Sequence, residues 1–159
     1  MKSVEELDVF KLAHQLALEI YRVTGNFPKE ETFSLVTQMR RAAASVGMNL
    51  MEGAARLGTK EYRQFVGVAR GSAGEVCYQL FLAKDLGYIS SEVYGDLRPR
   101  YDRVLQMLSR LSQTLNHEMR TRARFTNTFH DLPRLDFEER SALFYAEITS
   151  AGSPIRSHL

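Results

Sequence analysis

A chain of 159 residues, 44% apolar and 25% charged, is the size of one domain and can bury roughly 70% of its unfolded surface without a disulfide or a metal. Its 21 basic and 19 acidic residues nearly cancel, so whole-chain charge gives no argument for a nucleic-acid partner. The single cysteine, Cys77, excludes an internal bridge, and no apolar run approaches the ~18 residues of a membrane span, so a reducing, cytoplasmic location is expected.

Four helical patterns fill residues 5–118. The first runs from about Val4 to Thr24. Leu7, Phe10, His14, Ala17, Tyr21 and Thr24 repeat at steps of three and four, an apolar seam for the core or for an interface. Leu12, Leu16, Ile20 and Val23 widen the apolar arc well beyond the ~100° stripe of a surface helix. Gly25 is expected to supply a left-handed cap, and Pro28 cannot continue the helix.

The second helix is expected from Glu30–Thr32 to Leu57, with Glu30 and Glu31 at its amino end, where carboxylates favour the dipole. Gln38, Arg41, Ser45, Asn49, Glu52 and Arg56 fall on one stripe roughly 80° wide, and nearly all else around the helix is apolar or small. Such a stripe must face a strip of solvent or pair with groups on a neighbour.

Gly58 and Thr59 break the pattern, and Thr59 is a candidate N-cap for the third helix. Tyr62, Phe65, Ala69, Ala73, Val76, Leu80, Ala83 and Leu86 give that helix a core stripe, and Gly87 closes it. Gly47, Gly53, Gly67, Gly71 and Gly74 lie inside the second and third patterns, each costing up to ~1 kcal/mol relative to alanine. The expectation is close packing of these two helices along their small residues.

Ser90 or Ser91 can cap the fourth helix. Pro99 predicts either a kink near 95–98 or a helix that begins at Asp96, because a deep proline costs ~3 kcal/mol. Tyr101, Val104, Leu105, Leu108, Leu111 and Leu115 then make a strong apolar face. Two regions follow: a bundle over 1–118 and an extension over 119–159. The extension opens with a basic patch of Arg120, Arg122 and Arg124, continues through a turn at Asp131–Arg134, and carries a short helix over Phe137–Thr149 capped by Asp136. The fold class expected from these patterns is all-α, built on four long helices.

Strong catalytic signatures are lacking: there is no glycine-rich phosphate loop, nucleophile elbow or paired-His metal helix, and no cofactor is expected. His14 reads as a core or interface histidine. Ser72, Glu75 and Gln79 flank the third helix's apolar stripe. Together with Gln38, Arg41, Ser45, Asn49 and Glu52 they read as a structural polar cluster, in which Glu75 would accept from Arg41 or Asn49, within one chain or across a subunit boundary. Arg56, Lys60 and Arg63 bracket the second interhelical turn, and Arg70 follows. Repeated by symmetry, that end would form a positive ring able to follow a phosphate backbone.

The string Gln38-x-Arg40-Arg41-Ala42-Ala43, Ser45-Val46, Asn49, Glu52-Gly53, followed by Glu61-Tyr62, Phe65, Ala69-x-Gly71-Ser72, Glu75 and Leu86-Gly87-Tyr88-Ile89, resembles the four-helix-bundle proteins encoded in intervening sequences of bacterial 23S ribosomal RNA genes. The resemblance covers about residues 5–118. It implies an antiparallel, up-down four-helix bundle that assembles into a homopentamer, with no enzymatic activity and a proposed link to nucleic acid. Related bundles act as accessory proteins to reverse transcriptases. Independently, the breadth of the first helix's apolar arc argues for self-association, since exposed apolar patches of several hundred Å² mark interfaces.

The function expected is therefore a non-enzymatic homo-oligomer that binds RNA or DNA without sequence preference. The alternative is a scaffold that docks a protein, a reverse transcriptase or another, through the extension. A hydrolase or transferase using Glu52 and Glu75 ranks last and would need both carboxyls in one invaginated pocket.

Overall fold

A computed structural model describes residues 3–130, and among them every regular element is helical. The chain divides into two compact units, Met1–Arg120 and Thr121–Leu159, and the four-helix bundle is the first. Helix α1 spans Asp8–Thr24, α2 Leu35–Ala55, α3 Thr59–Asp85 and α4 Ser91–His130, with single 3-10 turns at Val4–Glu6 and Lys29–Glu31. The expected turn and helix between Asp131 and Thr149 lie outside the described residues.

The core is built from α1 (Val9, Ala13, Leu16, Ile20), α2 (Val36, Met39, Val46, Leu50), α3 (Val66, Ala73, Val76, Leu80) and α4 (Leu97, Tyr101, Val104, Leu108, Leu115). The α3 stripe agrees with its sequence periodicity over Ala69–Ala83, but Leu86 is exposed. On α1 only part of that seam enters the protomer core, Thr24 being buried. Val9, Ala13, Leu16 and Ile20 face inward, whereas Phe10 and Ala17 are half-buried and His14 and Tyr21 are exposed. An apolar arc this broad fits the core from more than one angle, so periodicity alone cannot select the buried side.

Helix α2 packs against α1 and α3. Helix α4 closes the ring: its Arg100 grips Glu19 of α1 at 2.6 and 2.7 Å, and its Tyr94 ring lies 6.5 Å from that of Phe81 on α3. Thus α4 sits diagonally across from α2.

The helix ends follow local chemistry, with some departures from expectation. Glycine at 25 is right-handed (φ −65°), not a left-handed cap. The α1 end is held instead from a distance. The Thr24 hydroxyl donates to the Ile20 carbonyl at 2.7 Å and accepts from Arg40 Nε at 2.9 Å, and the Arg40 guanidinium lies 5.0 Å from the Tyr21 ring centroid. A cation at a helix C-terminus also suits the dipole.

Helix α2 begins later than expected, because Glu31 turns back on it: the carboxylate accepts from the Leu35 N–H at 3.3 Å and from the Ser34 hydroxyl. Gly58, not Thr59, occupies the position before α3, and no side chain caps that end. Gly87 is left-handed (φ +75°). It completes a Schellman motif in which Tyr88 N–H reaches the Ala83 carbonyl at 2.9 Å and Gly87 N–H the Lys84 carbonyl at 3.0 Å.

Ser90 Oγ accepts from the Val93 N–H at 3.2 Å and caps α4. The helix then runs through Pro99 from Ser91, rather than starting at Asp96. Both Pro99 and Gly95, whose carbonyl the proline leaves without its helical donor, face solvent, where water can satisfy that carbonyl. Arg120, Arg122 and Arg124, expected beyond the bundle, are all within the α4 helix.

Candidate nucleic-acid interface

The α2–α3 turn is short because Gly53 allows the helices to meet. A Cβ at Gly53 would lie 2.7 Å from Phe65 Cβ and 2.8 Å from Tyr62 Cδ2. The close approach expected along all the glycines is confined to this position. A Cβ at Gly47 would make an ordinary 3.6 Å contact with Phe10, and at Gly67, Gly71 and Gly74 it would meet nothing within 4 Å. Within one protomer those three glycines therefore lie open rather than packed against α2.

Arg56 and Lys60 flank this turn and are exposed. Arg56 bonds Glu52 one turn earlier, and its guanidinium lies 5.2 Å from the Phe65 ring centroid. Arg63 is half-buried, and its Nε is buried without a hydrogen-bond partner. Arg70 is exposed further along α3. Lys60, Arg63 and Arg70 fall within an arc of about 80°, and Gly67 and Gly74 lie inside it. Leu57, fully exposed, forms the tip of the turn. Arg40, part of the same basic run in sequence, belongs to the α1 cap.

The polar stripe of α2 splits in two ways. Its middle is paired: Ser45 Oγ lies 2.9 Å from Ser72 Oγ of α3, and the Asn49 amide donates to the Ser45 carbonyl and hydroxyl at 2.8 and 2.9 Å. Gln38, Arg41, Glu52 and Arg56 face solvent. Asn49 thus spends its amide on Ser45. Glu75 is exposed, and among the described residues it bonds neither Arg41 nor Asn49. Gln38, Arg41, Ser45, Ser72 and Glu75 line one open groove of ≈ 730 Å³ with Tyr21 and Met48. Glu52 is not in its lining, so the two carboxyls proposed for acid–base work do not share this groove.

A second groove, ≈ 300 Å³, runs between α1 and α2. Phe10, Ala17, Leu18, Tyr21, Gly47 and Met48 line it, with His14. The His14 and Phe10 rings are parallel, with centroids 6.3 Å apart. Leu18, Tyr21 and Met48 are each about half exposed or more, at 47, 48 and 61%. Cys77 is buried, and burial raises its thiol above the ordinary range, Arg98 partly opposing this. No group of residues suited to a metal ion occurs among the described residues. No helix among them is long and apolar enough to cross a membrane.

Sequence reasoning missed the Arg40–Thr24 and Glu31–Tyr88 bonds. Both join residues far apart in the chain, and neither leaves a local spacing signal.

Comparison with known proteins agrees with this architecture. A crystal structure of a protein of unknown function from the S23 ribosomal protein family of Bacteroides thetaiotaomicron superposes with a TM-score of 0.62. It is 21% identical, and the match covers 66% of this chain and 95% of that one. At that identity the likeness speaks for the fold. No curated protein matches the chain. Residues 5–110 match the family described as 23S rRNA-intervening sequence protein, and the chain belongs to that family.

Proposed function

We propose that this protein is a non-enzymatic, homo-oligomeric helical bundle that binds nucleic acid without sequence preference through the basic α2–α3 end. The observation that carries the reading is the side of α3 on which Lys60, Arg63 and Arg70 surround glycines open to solvent. A helix surface without Cβ atoms lets a sugar–phosphate backbone come close, while the cations supply a charge attraction indifferent to base identity. The exposed Leu18, Tyr21 and Met48 on the α1–α2 wall support self-association. Copies meeting head to tail would close a ring, five-fold by the family resemblance, and gather the basic ends on one rim.

The test substitutes Arg56, Lys60 and Arg63 together by Glu and follows a labelled mixed-sequence duplex by fluorescence anisotropy. Binding should be salt-sensitive in the native protein and lost in the variant. Retained binding by the folded variant would rule out this surface. The second reading, docking of another protein, draws on the same apolar α1–α2 groove. Capture of a defined protein partner that is lost when Met48 becomes Glu, with no nucleic-acid binding, would favour it.

A further inference from the structure

The arginines of α4 belong to two sets. Arg98 and Arg100 hold the bundle together. Arg98 donates to Asp102 Oδ1 from Nε at 3.2 Å and Nη2 at 3.0 Å, and Arg100 joins Glu19 and reaches Asp96 at 3.0 Å. Arg103, Arg110 and Arg120 are exposed, and among the described residues none of them meets a carboxylate at bonding distance.

These three share a side. At about 100° per residue, Arg103, Gln106, Arg110, Gln113 and Arg120 fall within an arc of about 100°, opposite the buried Tyr101, Val104, Leu108 and Leu115. From Arg103 to Arg120 the arc contains no acidic side chain, Glu118 lying about 60° from Arg103 on the far side. Asp8 of α1 borders it, in the ≈ 540 Å³ groove shared with Pro99, Arg103, Gln106, Met107 and Arg110.

We propose that this face of α4 is a track for the phosphate backbone of a nucleic-acid duplex. It rests on the nucleic-acid reading above but moves part of the contact from the turn to the flank of the bundle. The chemistry of the face selects the partner. The arc holds no Phe, Tyr or Trp ring on which unpaired bases could stack, as single-strand binders require, and its one ring is the small imidazole of His117. Nor does it hold the apolar anchor that centres a protein interface. It offers guanidinium and carboxamide donors, which bind phosphate oxygens whatever the base. At 1.5 Å per residue it extends about 25 Å, which is roughly seven base-pair steps of duplex at 3.4 Å. Because α4 lies diagonally across from α2, the track stays free when the α1–α2 wall is covered by another copy.

The experiment measures anisotropy of labelled mixed-sequence duplexes of about 20 base pairs, RNA and DNA, against salt, with a single strand of equal length alongside. The proteins are the full native chain, a triple Arg103→Gln, Arg110→Gln, Arg120→Gln variant, the single Arg110→Gln variant, and the Arg56, Lys60, Arg63 triple described above. Losing three phosphate contacts should lower the slope of log affinity against log salt by about 2.7, and one contact by about 0.9. At low salt the α4 triple should bind at least ~10-fold more weakly.

A folded α4 triple with native affinity and slope, beside an end variant that no longer binds, overturns the track and leaves the proposed function standing. The reverse pattern supports the track and overturns the α2–α3 surface. Preference for the single strand overturns the duplex assignment. No binding by the native chain at low salt overturns both proposals. If the triple does not fold, the single variant's slope decides by the same criterion.

Discussion

The two ends of the bundle are made of similar residue types put to opposite uses. Where α1 meets α2 and α3 meets α4, polar groups are consumed internally. Glu31 accepts from Tyr88 across the gap at 3.1 Å, the Phe27 and Tyr88 rings lie 5.3 Å apart, and Arg40 is spent on Thr24. At the α2–α3 end no side chain caps α3. Lys60 meets no carboxylate there among the described residues, and the Nε of Arg63 is buried without a partner. The first end satisfies these polar groups within one protomer, although Phe33 stands exposed there. The second presents charge and bare backbone outward, which is what a partner rich in phosphate would meet.

Three changes sharpen this contrast. The largest effect is expected from Gly53→Leu at the open end. The new side chain would run into Phe65 Cβ and Tyr62, and overpacking of this kind costs about 1–3 kcal/mol, so urea melts should show a clear loss of stability. An unchanged midpoint would mean the turn has slack.

A smaller effect of opposite sign is expected at Gly67 and Gly71. Alanine there meets open space and should raise protomer stability by up to ~1 kcal/mol per site through helix propensity. If these glycines lie against a phosphate backbone, the same substitutions should weaken duplex binding even though the fold gains. Binding left untouched would separate the glycine surface from the ligand.

The smallest effect belongs to the closed end. Glu31 is held below its ordinary carboxyl range by the Ser34 hydroxyl first, then the Leu35 N–H and the Tyr88 hydroxyl. A carboxyl with a lowered folded value contributes stability above its unfolded value, near 4.5, and loses it as pH falls through the folded one. Glu31→Gln should therefore melt below the native protein at about pH 7, and the gap should narrow towards about pH 3. A gap that does not vary with pH would show that the Glu31 carboxyl titrates alike in the folded and unfolded chains.

Much of the fold was readable from spacing alone, and the failures are instructive. The α3 core of Ala69, Ala73, Val76, Leu80 and Ala83 follows a narrow apolar stripe, and the buried residues agree with it. On α1 the apolar arc is too wide to fix rotation: Ala13 and Ile20 face the core, while His14 and Tyr21 of the three-and-four seam are exposed. Gly87 was legible as a stop because only a left-handed residue fits its motif, whereas Gly25 is right-handed and its cap comes from Arg40, distant in sequence.

At the candidate interface, sequence placed Arg56, Lys60 and Arg63 about the second interhelical turn, with Arg70 following in the third helix. It did not foresee that Arg56 is partly neutralised by Glu52. The flank carried by Arg103 and Arg110 was also hidden. It emerges only when α4 is continuous through Pro99 and Asp102 and Asp96 are committed to Arg98 and Arg100.

In the proposed assembly, further copies of the chain cover the apolar surface that one protomer leaves open. Sedimentation velocity of the full chain at micromolar concentration tests this most directly. The expected result is a single species several times the 18.2 kDa protomer mass, which persists when the basic end is neutralised. A well-folded particle of protomer mass over that range would contradict it.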